Sequence, residues 1–148
     1  MAEITVTVDD AAVQAALKRM RGNLTNLRPA MKQIGEYMVF ETDENFRGEH
    51  DPEGNPWKKL DPDYLKWKQR TGKITKILQL RGRLRKSIVY RAESDRVSIG
   101  TNVIYGNIHQ WGGKARSANL PARPFLGVTA ENEREMGQII MDFLRSQE

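Results

Sequence analysis

The hydrophobic pattern of this chain changes its period several times, and this constrains the fold more than any other feature. Residues Glu3–Val8, Ile88–Ala92 and Arg96–Gly100 alternate apolar and polar side chains. A period of two predicts half-buried strands. Only three polar residues separate the second strand from the third, so these two are predicted to form a hairpin. A short last strand is predicted over Phe125–Val128.

Apolar residues at helical spacing predict helices in the remaining segments. Asp61 and Thr129 stand where N-caps are expected, and Pro62 suits a first helical position. Long loops are predicted at about 47–60 and 112–124, with a surface loop over Ala115–Pro124. The predicted helices are Ala11–Arg21, Leu27–Phe46, Pro62–Gln69, Leu78–Ser87, Tyr105–Trp111 and Ala130–Arg145.

The fold class that follows is α+β, with a small, largely antiparallel sheet packed with several helices. The 148 residues suit one domain over 1–148. The inner stripe of the second helix is predicted to contain Met31, Ile34 and Met38. The stripe of the last helix is predicted to be Met136, Ile139, Ile140 and Phe143.

Several functional classes are not expected for this chain. It contains no cysteine, which excludes a disulfide framework and a cysteine-based metal site or nucleophile. His50 lies among Glu49, Asp51 and Glu53, but a loop rarely fixes four such groups on one ion, so no metal and no cofactor are predicted. Neither a nucleophile motif nor a phosphate-cradling glycine loop is present. No apolar run approaches the roughly 20 residues of a membrane span, so a soluble protein made in the cytosol is expected.

Positive charge is concentrated in the middle of a chain whose net charge is +5. The stretch from Tyr64 to Ala92 has no acidic residue, and its aromatic residues Tyr64, Trp67 and Tyr90 are interleaved with lysines and arginines. This composition fits either a solvated basic face or a surface that binds nucleic-acid phosphates without reading sequence. The predicted basic surface comprises Lys66, Lys68, Arg70, Lys73, Lys76, Arg81, Arg83, Arg85 and Lys86.

The stretch from Ile104 to Gly127 is rich in glycine, proline and aromatic residues, which is typical of a shaped surface. His109 and Trp111 are predicted to pack at a helix end or at a subunit seam. Trp57 follows Pro56 and fits either the domain's own core or a contact with a neighbour. Arg123 lies between two prolines and could pair with a carboxylate of a neighbouring subunit or of its own.

Four groups of residues, in this order, resemble the virion morphogenesis (tail completion) family of Mu-like and P2-like tailed phages. They are Gly54-Asn-Pro-Trp57; Leu78, Leu84 and Ser87; Asp95-Arg-Val-Ser-Ile-Gly100; and Ile108-His-Gln-Trp-Gly112 followed by Pro121-Ala-Arg-Pro-Phe-Leu-Gly127. The resemblance covers roughly residues 1–145.

The resemblance implies a structural protein and not an enzyme, which finishes the tail or joins it to the head. It implies a homo-oligomeric ring, six-fold like the tail, whose partners are tail-tube or tail-terminator and head-completion proteins. The protein would assemble in the host cytoplasm and end in the tail or neck of the virion, where a basic lumen would tolerate passing DNA. The resemblance adds Gln110 and Phe125 to the interface candidates Trp57, His109, Trp111 and Arg123. The alternative is a basic domain that binds nucleic acid non-specifically.

Overall fold

The computed structural model describes residues 2–7, 26–79, 82–115 and 118–146. Within these ranges lie five strands and five helices, which form an α+β fold. The strands are β1 (Ala2–Thr7), β2 (Val89–Ala92), β3 (Arg96–Thr101), β4 (Gly113–Ala115) and β5 (Ala118–Leu120). The helices are α1 (Arg28–Gly48), α2 (Pro62–Arg70), α3 (Arg83–Lys86), α4 (Gly106–Trp111) and α5 (Ala130–Ser146).

The main sheet is antiparallel, with β3 between β1 and β2. Ile4, Ile99 and Tyr90 stand opposite one another across the three strands, on the face that α1 covers. Tyr90 packs against Gly35 of α1 so closely that no Cβ would fit at that glycine. The other face carries exposed Glu3 and Thr5. A half-covered sheet of this kind explains the period-two pattern.

Helix α1 lies at the centre of the core, and α5 packs beside it. The predicted inner stripe of α1 is confirmed, because Met31, Ile34 and Met38 are all buried. On α5, Met136 and Ile140 are buried as predicted. The other two predicted positions, Ile139 and Phe143, are partly buried against the core, and Leu144 is a further buried residue.

The predicted N-caps are confirmed. Asp61 accepts a hydrogen bond from the amide of Tyr64. At the start of α5, the Thr129 hydroxyl accepts from the Asn132 amide while the Asn132 side chain accepts from the Thr129 amide, at 3.0 Å each. This reciprocal pair satisfies two N–H groups that the helix itself leaves free.

One predicted helix is largely absent. The prediction of a helix over Leu78–Ser87 is wrong, because only α3 is helical within the described part of that range. Leu78 and Gly82 have left-handed backbones, with φ of 61° and 75°, which a right-handed helix cannot include. The carbonyl of Gln79 accepts instead from the buried amine of Lys68. The predicted helix over Ala11–Arg21 lies outside the described residues.

Two further predictions, for Ala115–Pro124 and for Phe125–Val128, differ from the structure. The surface loop predicted over Ala115–Pro124 contains a short antiparallel ladder, in which β4 pairs with β5. The strand predicted over Phe125–Val128 is wrong: no strand among the described residues includes these positions, and the backbone groups of Phe125 and Leu126 bond to side chains instead. The sequence pattern at these positions is typical of a strand, but the hydrogen-bond partners of the backbone are the side chains of Gln110 and Asn45 and not a neighbouring strand.

The described helices include none that combines the length and the apolar character needed to cross a membrane.

A candidate assembly interface

The segment that precedes α5 is held by one buried glutamine of α4. The Gln110 side chain accepts from the amides of Phe125 and Leu126, at 3.0 and 3.1 Å, and donates to the Leu126 carbonyl at 2.8 Å. Asn45 of α1 donates to the Phe125 carbonyl at 3.0 Å. These four bonds take the place of a strand ladder and pair the backbone amides and carbonyls of Phe125 and Leu126 in the interior.

Three aromatic rings fill the space beneath this segment. Phe46 of α1 lies between Trp57 and Phe125, with ring centroids 5.6 and 5.3 Å away. The indole N–H of Trp57 donates to the Pro124 carbonyl at 2.7 Å. Trp57 and Phe125 are buried. They therefore serve the protein's own core, and only a rearrangement would present either ring to a neighbouring subunit.

Arg123 holds the proline-containing loop that precedes α2. Its guanidinium donates to the backbone carbonyls of Lys58 and Lys59, at 2.8 and 3.1 Å, and the residue is only 7% exposed. Burial lowers the pKa of Arg123. The sequence leaves open whether Arg123 pairs within its own subunit or with a neighbouring one. In the structure Arg123 pairs within its own subunit, and its partners are carbonyl oxygens and not a carboxylate.

His109 lies next to this anchor on α4. Its ring packs edge-on against Tyr105, and its backbone carbonyl accepts from the Arg123 amide at 2.7 Å. Its Nδ1 atom is buried and has no hydrogen-bond partner among the described residues. Burial, and then the positive charge of Arg123, lower the pKa of His109. The imidazole is therefore a neutral packing group in the folded protein.

Of the six interface candidates, Trp111 alone is fully exposed, at 74%. Ile104, which the sequence analysis does not single out, is 96% exposed, and Ile108 is half-buried. Ile104 lies in the turn that leads into α4, whereas Ile108 and Trp111 lie on α4 itself, three positions apart and therefore on one side of the helix. Trp111, Ile108 and Lys114 also line an open groove beside β4. We call Ile104, Ile108, Trp111 and Lys114 the α4 patch.

The predicted basic surface divides into exposed, paired and buried residues. Lys68 is not at the surface: it is 1% exposed, and its amine donates to the carbonyls of Lys76 and Gln79. Arg85 forms a two-point ion pair with Asp43 of α1, at 2.6 and 2.9 Å. Arg81 lies outside the described residues. Lys66, Arg70, Lys76, Arg83 and Lys86 are exposed, and Lys73 is half-buried.

An acidic cleft between α1 and the start of α5 has no counterpart in the sequence analysis. It is lined by Glu41, Glu53 and Glu131 together with Pro52, and no lysine or arginine of the described residues lines it. Tyr37 lies nearby. Its pKa is raised by burial and by the surrounding carboxylates, although its hydrogen bond from Asn132 acts in the opposite direction. The sequence separates these acids by up to ninety positions, so only the fold could bring them together.

Comparison with known proteins gives a consistent result. The chain matches the model of the Phage virion morphogenesis family over residues 8–145. It is 33% identical over 140 residues to a protein of Escherichia phage Mu named capsid assembly protein G, covering 90% of this chain and 89% of that one. Two Mu-like prophage proteins of Haemophilus influenzae are similar. FluMu G protein 1 is 30% identical, covering 89% of this chain and 88% of the relative, and FluMu G protein 2 is 31% identical, covering 96% of each. No solved structure is significantly similar.

Replacing Gln110 by alanine is expected to lower the free energy of unfolding by about 1–3 kcal/mol, since it leaves three buried backbone groups without partners. Urea unfolding followed by circular dichroism measures the change. The matched control is Gln138→Ala, because Gln138 is exposed and bonds only to Asp142. The role given to Gln110 is wrong if both variants unfold at the same urea concentration.

The lowered pKa of His109 predicts a loss of stability at mildly acidic pH. Above the ordinary histidine value of 6.5, the imidazole is neutral in both states and contributes nothing. As the pH falls through that value, the unfolded chain binds a proton that the folded protein resists, so the free energy of unfolding decreases. The decrease ends once the pH is below the folded-state pKa. His109→Phe, which keeps a ring against Tyr105, is expected to lose less stability than the wild type between about pH 7.5 and about pH 5.5. Equal losses, measured by urea unfolding at both pH values, would contradict the assignment.

Proposed function

The chain belongs to the Phage virion morphogenesis family, and on that basis we propose that it is a structural subunit of tail completion or head–tail joining. The observation that carries this proposal is the α4 patch. Trp111 is 74% exposed on α4, which Gln110 anchors to the core, and Ile104 is 96% exposed in the turn before this helix. Large apolar side chains held rigidly in solvent are typical of a surface that a partner covers.

A role in head–tail joining is consistent both with the name of the Mu relative and with the motifs of this chain. The Mu relative is named for capsid assembly, whereas the motifs of this chain resemble tail completion proteins. A subunit at the junction would contact head and tail alike. The partners proposed are therefore copies of the chain itself, the tail-tube or tail-terminator protein, and the head-completion protein.

We propose a ring at the tail end as the working form, with six subunits to match the tail. The role is mechanical and not catalytic: the chain supplies surfaces, and the energy comes from burying them. Assembly would take place in the host cytoplasm, and the finished ring would remain in the tail or neck of the virion.

The first test is the particle phenotype. Disrupting the gene in the phage or prophage that carries it is expected to leave separate heads and tails in the induced lysate, visible by negative-stain electron microscopy. Supplying the wild-type chain from a plasmid should restore joined particles. Joined particles in normal numbers without the protein would contradict the proposal. Light scattering and images of the purified chain then give the subunit number, if rings form without a tail end as template.

Contact with DNA is a second candidate function, and helix α2 favours it. Tyr64 and Trp67 are stacked with their rings 5.7 Å apart and are partly exposed, beside exposed Lys66 and Arg70. Aromatic rings next to cations suit phosphate backbones and unpaired bases. In a neck ring, such a surface could line the path of the genome.

The change Lys66→Glu with Arg70→Glu is expected to weaken binding to a DNA duplex and to reduce its dependence on salt, because two phosphate contacts are lost. Fluorescence anisotropy over a salt series measures both effects. Arg91→Glu is the matched control, since Arg91 is exposed on the open face of the sheet. No binding by the wild type at physiological salt would rule out this second function.

A further inference from the structure

Two surfaces of the protein have no partner among the described residues, and their chemistry is complementary. One is the α4 patch, which is apolar with a lysine at its edge. The other is the acidic cleft, a space of about 390 Å³ lined by Glu41, Glu53 and Glu131. The two surfaces share no residue, so one copy of the chain can use both at the same time.

The charges around the two surfaces have opposite signs. From Arg96 to Ala130 the chain contains no acidic residue, so Lys114 has no carboxylate neighbour in sequence. The cleft, by contrast, is lined by three carboxylates and by no lysine or arginine of the described residues. Glu41, Glu53 and Glu131 form no ion pair with any described residue, and Glu135 adds its charge near Tyr37.

The cleft side also offers apolar contact area. Pro52 lines the cleft itself. Val128, the residue before the cleft residue Thr129, is 37% exposed. An exposed tryptophan and isoleucine could pack against these side chains while a lysine meets the carboxylates.

We propose that the α4 patch of one copy binds the acidic cleft face of the next copy. This inference rests on the proposed function, because it supplies the contact that a ring of subunits needs. A contact between two different surfaces is head-to-tail, and such contacts form a ring when the rotation from one copy to the next closes. An exposed tryptophan is the residue type that most often dominates the energy of such a contact.

Two variants, each defective in one surface, test the proposal. Trp111→Glu adds a negative charge to the α4 patch, and the double change Glu41→Lys with Glu131→Lys reverses the cleft. Sedimentation velocity, over a concentration series up to about 1 mM, measures association. The wild type is expected to associate with increasing concentration. Each variant alone should associate at least ~30-fold more weakly.

Mixing the two variants in equal amounts gives the decisive result. The intact cleft of the tryptophan variant can bind the intact patch of the other variant, so the mixture is expected to form dimers. These dimers cannot grow, because both remaining surfaces are defective. The controls are Val89→Glu and Glu3→Lys, which change an exposed apolar and an exposed acidic residue on the open sheet face and should associate like the wild type.

Three results would overturn the inference. They are a wild type that stays monomeric throughout the series, a defective variant that associates normally, and a mixture that forms no dimer. Loss of association in the tryptophan variant alone would instead indicate a symmetric contact between two α4 patches. The particle phenotype separates these failures from failure of the proposed function: unjoined heads and tails in the gene disruption would stand whichever surface the copies use.

Discussion

The structure depends on how residues 121–127 satisfy their backbone hydrogen bonds. The buried part of this segment lies beside the ring of Phe46 and belongs to no strand among the described residues. A buried peptide group without a partner costs about as much as a lost hydrogen bond, so the groups of Phe125 and Leu126 need side-chain partners in place of a ladder. Gln110 and Asn45 supply those partners, and Trp57 binds the carbonyl that precedes Phe125. Helix α1, helix α4 and the loop before α2 are joined through this one segment.

The same constraint explains why the two motifs richest in glycine, proline and aromatic residues occur together. Ile-His-Gln-Trp-Gly supplies the glutamine, and Pro-Ala-Arg-Pro-Phe-Leu-Gly supplies the backbone that it binds. Gly112 connects them with a φ of 76°, and a Cβ there would meet the Ala122 amide nitrogen at 2.8 Å. Most of the motif thus builds the platform. Trp111, which belongs to the first of these motifs, projects from that platform into solvent, where a partner can reach it.

The basic residues likewise divide into those that stabilise the fold and those that are exposed at the surface. Lys68 and Arg85 come from the most basic part of the sequence, yet one binds two carbonyls inside the protein and the other pairs with Asp43. Burial lowers the pKa of Lys68, which the nearby carboxylate of Glu49 partly opposes. What remains exposed is a smaller basic area around α2 and α3. The acidic cleft lies between α1 and α5, so the surface carries charges of both signs on different elements, which suits contacts between unlike surfaces.

The sequence by itself determined the elements whose patterns are local. The strands β1, β2 and β3, the helices α1, α2, α4 and α5, and the caps at Asp61 and Thr129 follow from periodicity and from side chains within four residues. The order of the motifs likewise indicated the family. Only the tertiary structure decided the rest. Leu78 departs from helix and Phe125 from strand because their neighbourhoods are fixed by hydrogen bonds between residues far apart in sequence. The burial of Lys68, the in-chain anchoring of Arg123 and the gathering of the acidic cleft have the same cause. Local sequence patterns carry no information about which distant group will form a hydrogen bond with a buried polar atom. In this protein those distant groups decide which side chains are buried and which stay exposed for contact with a partner protein.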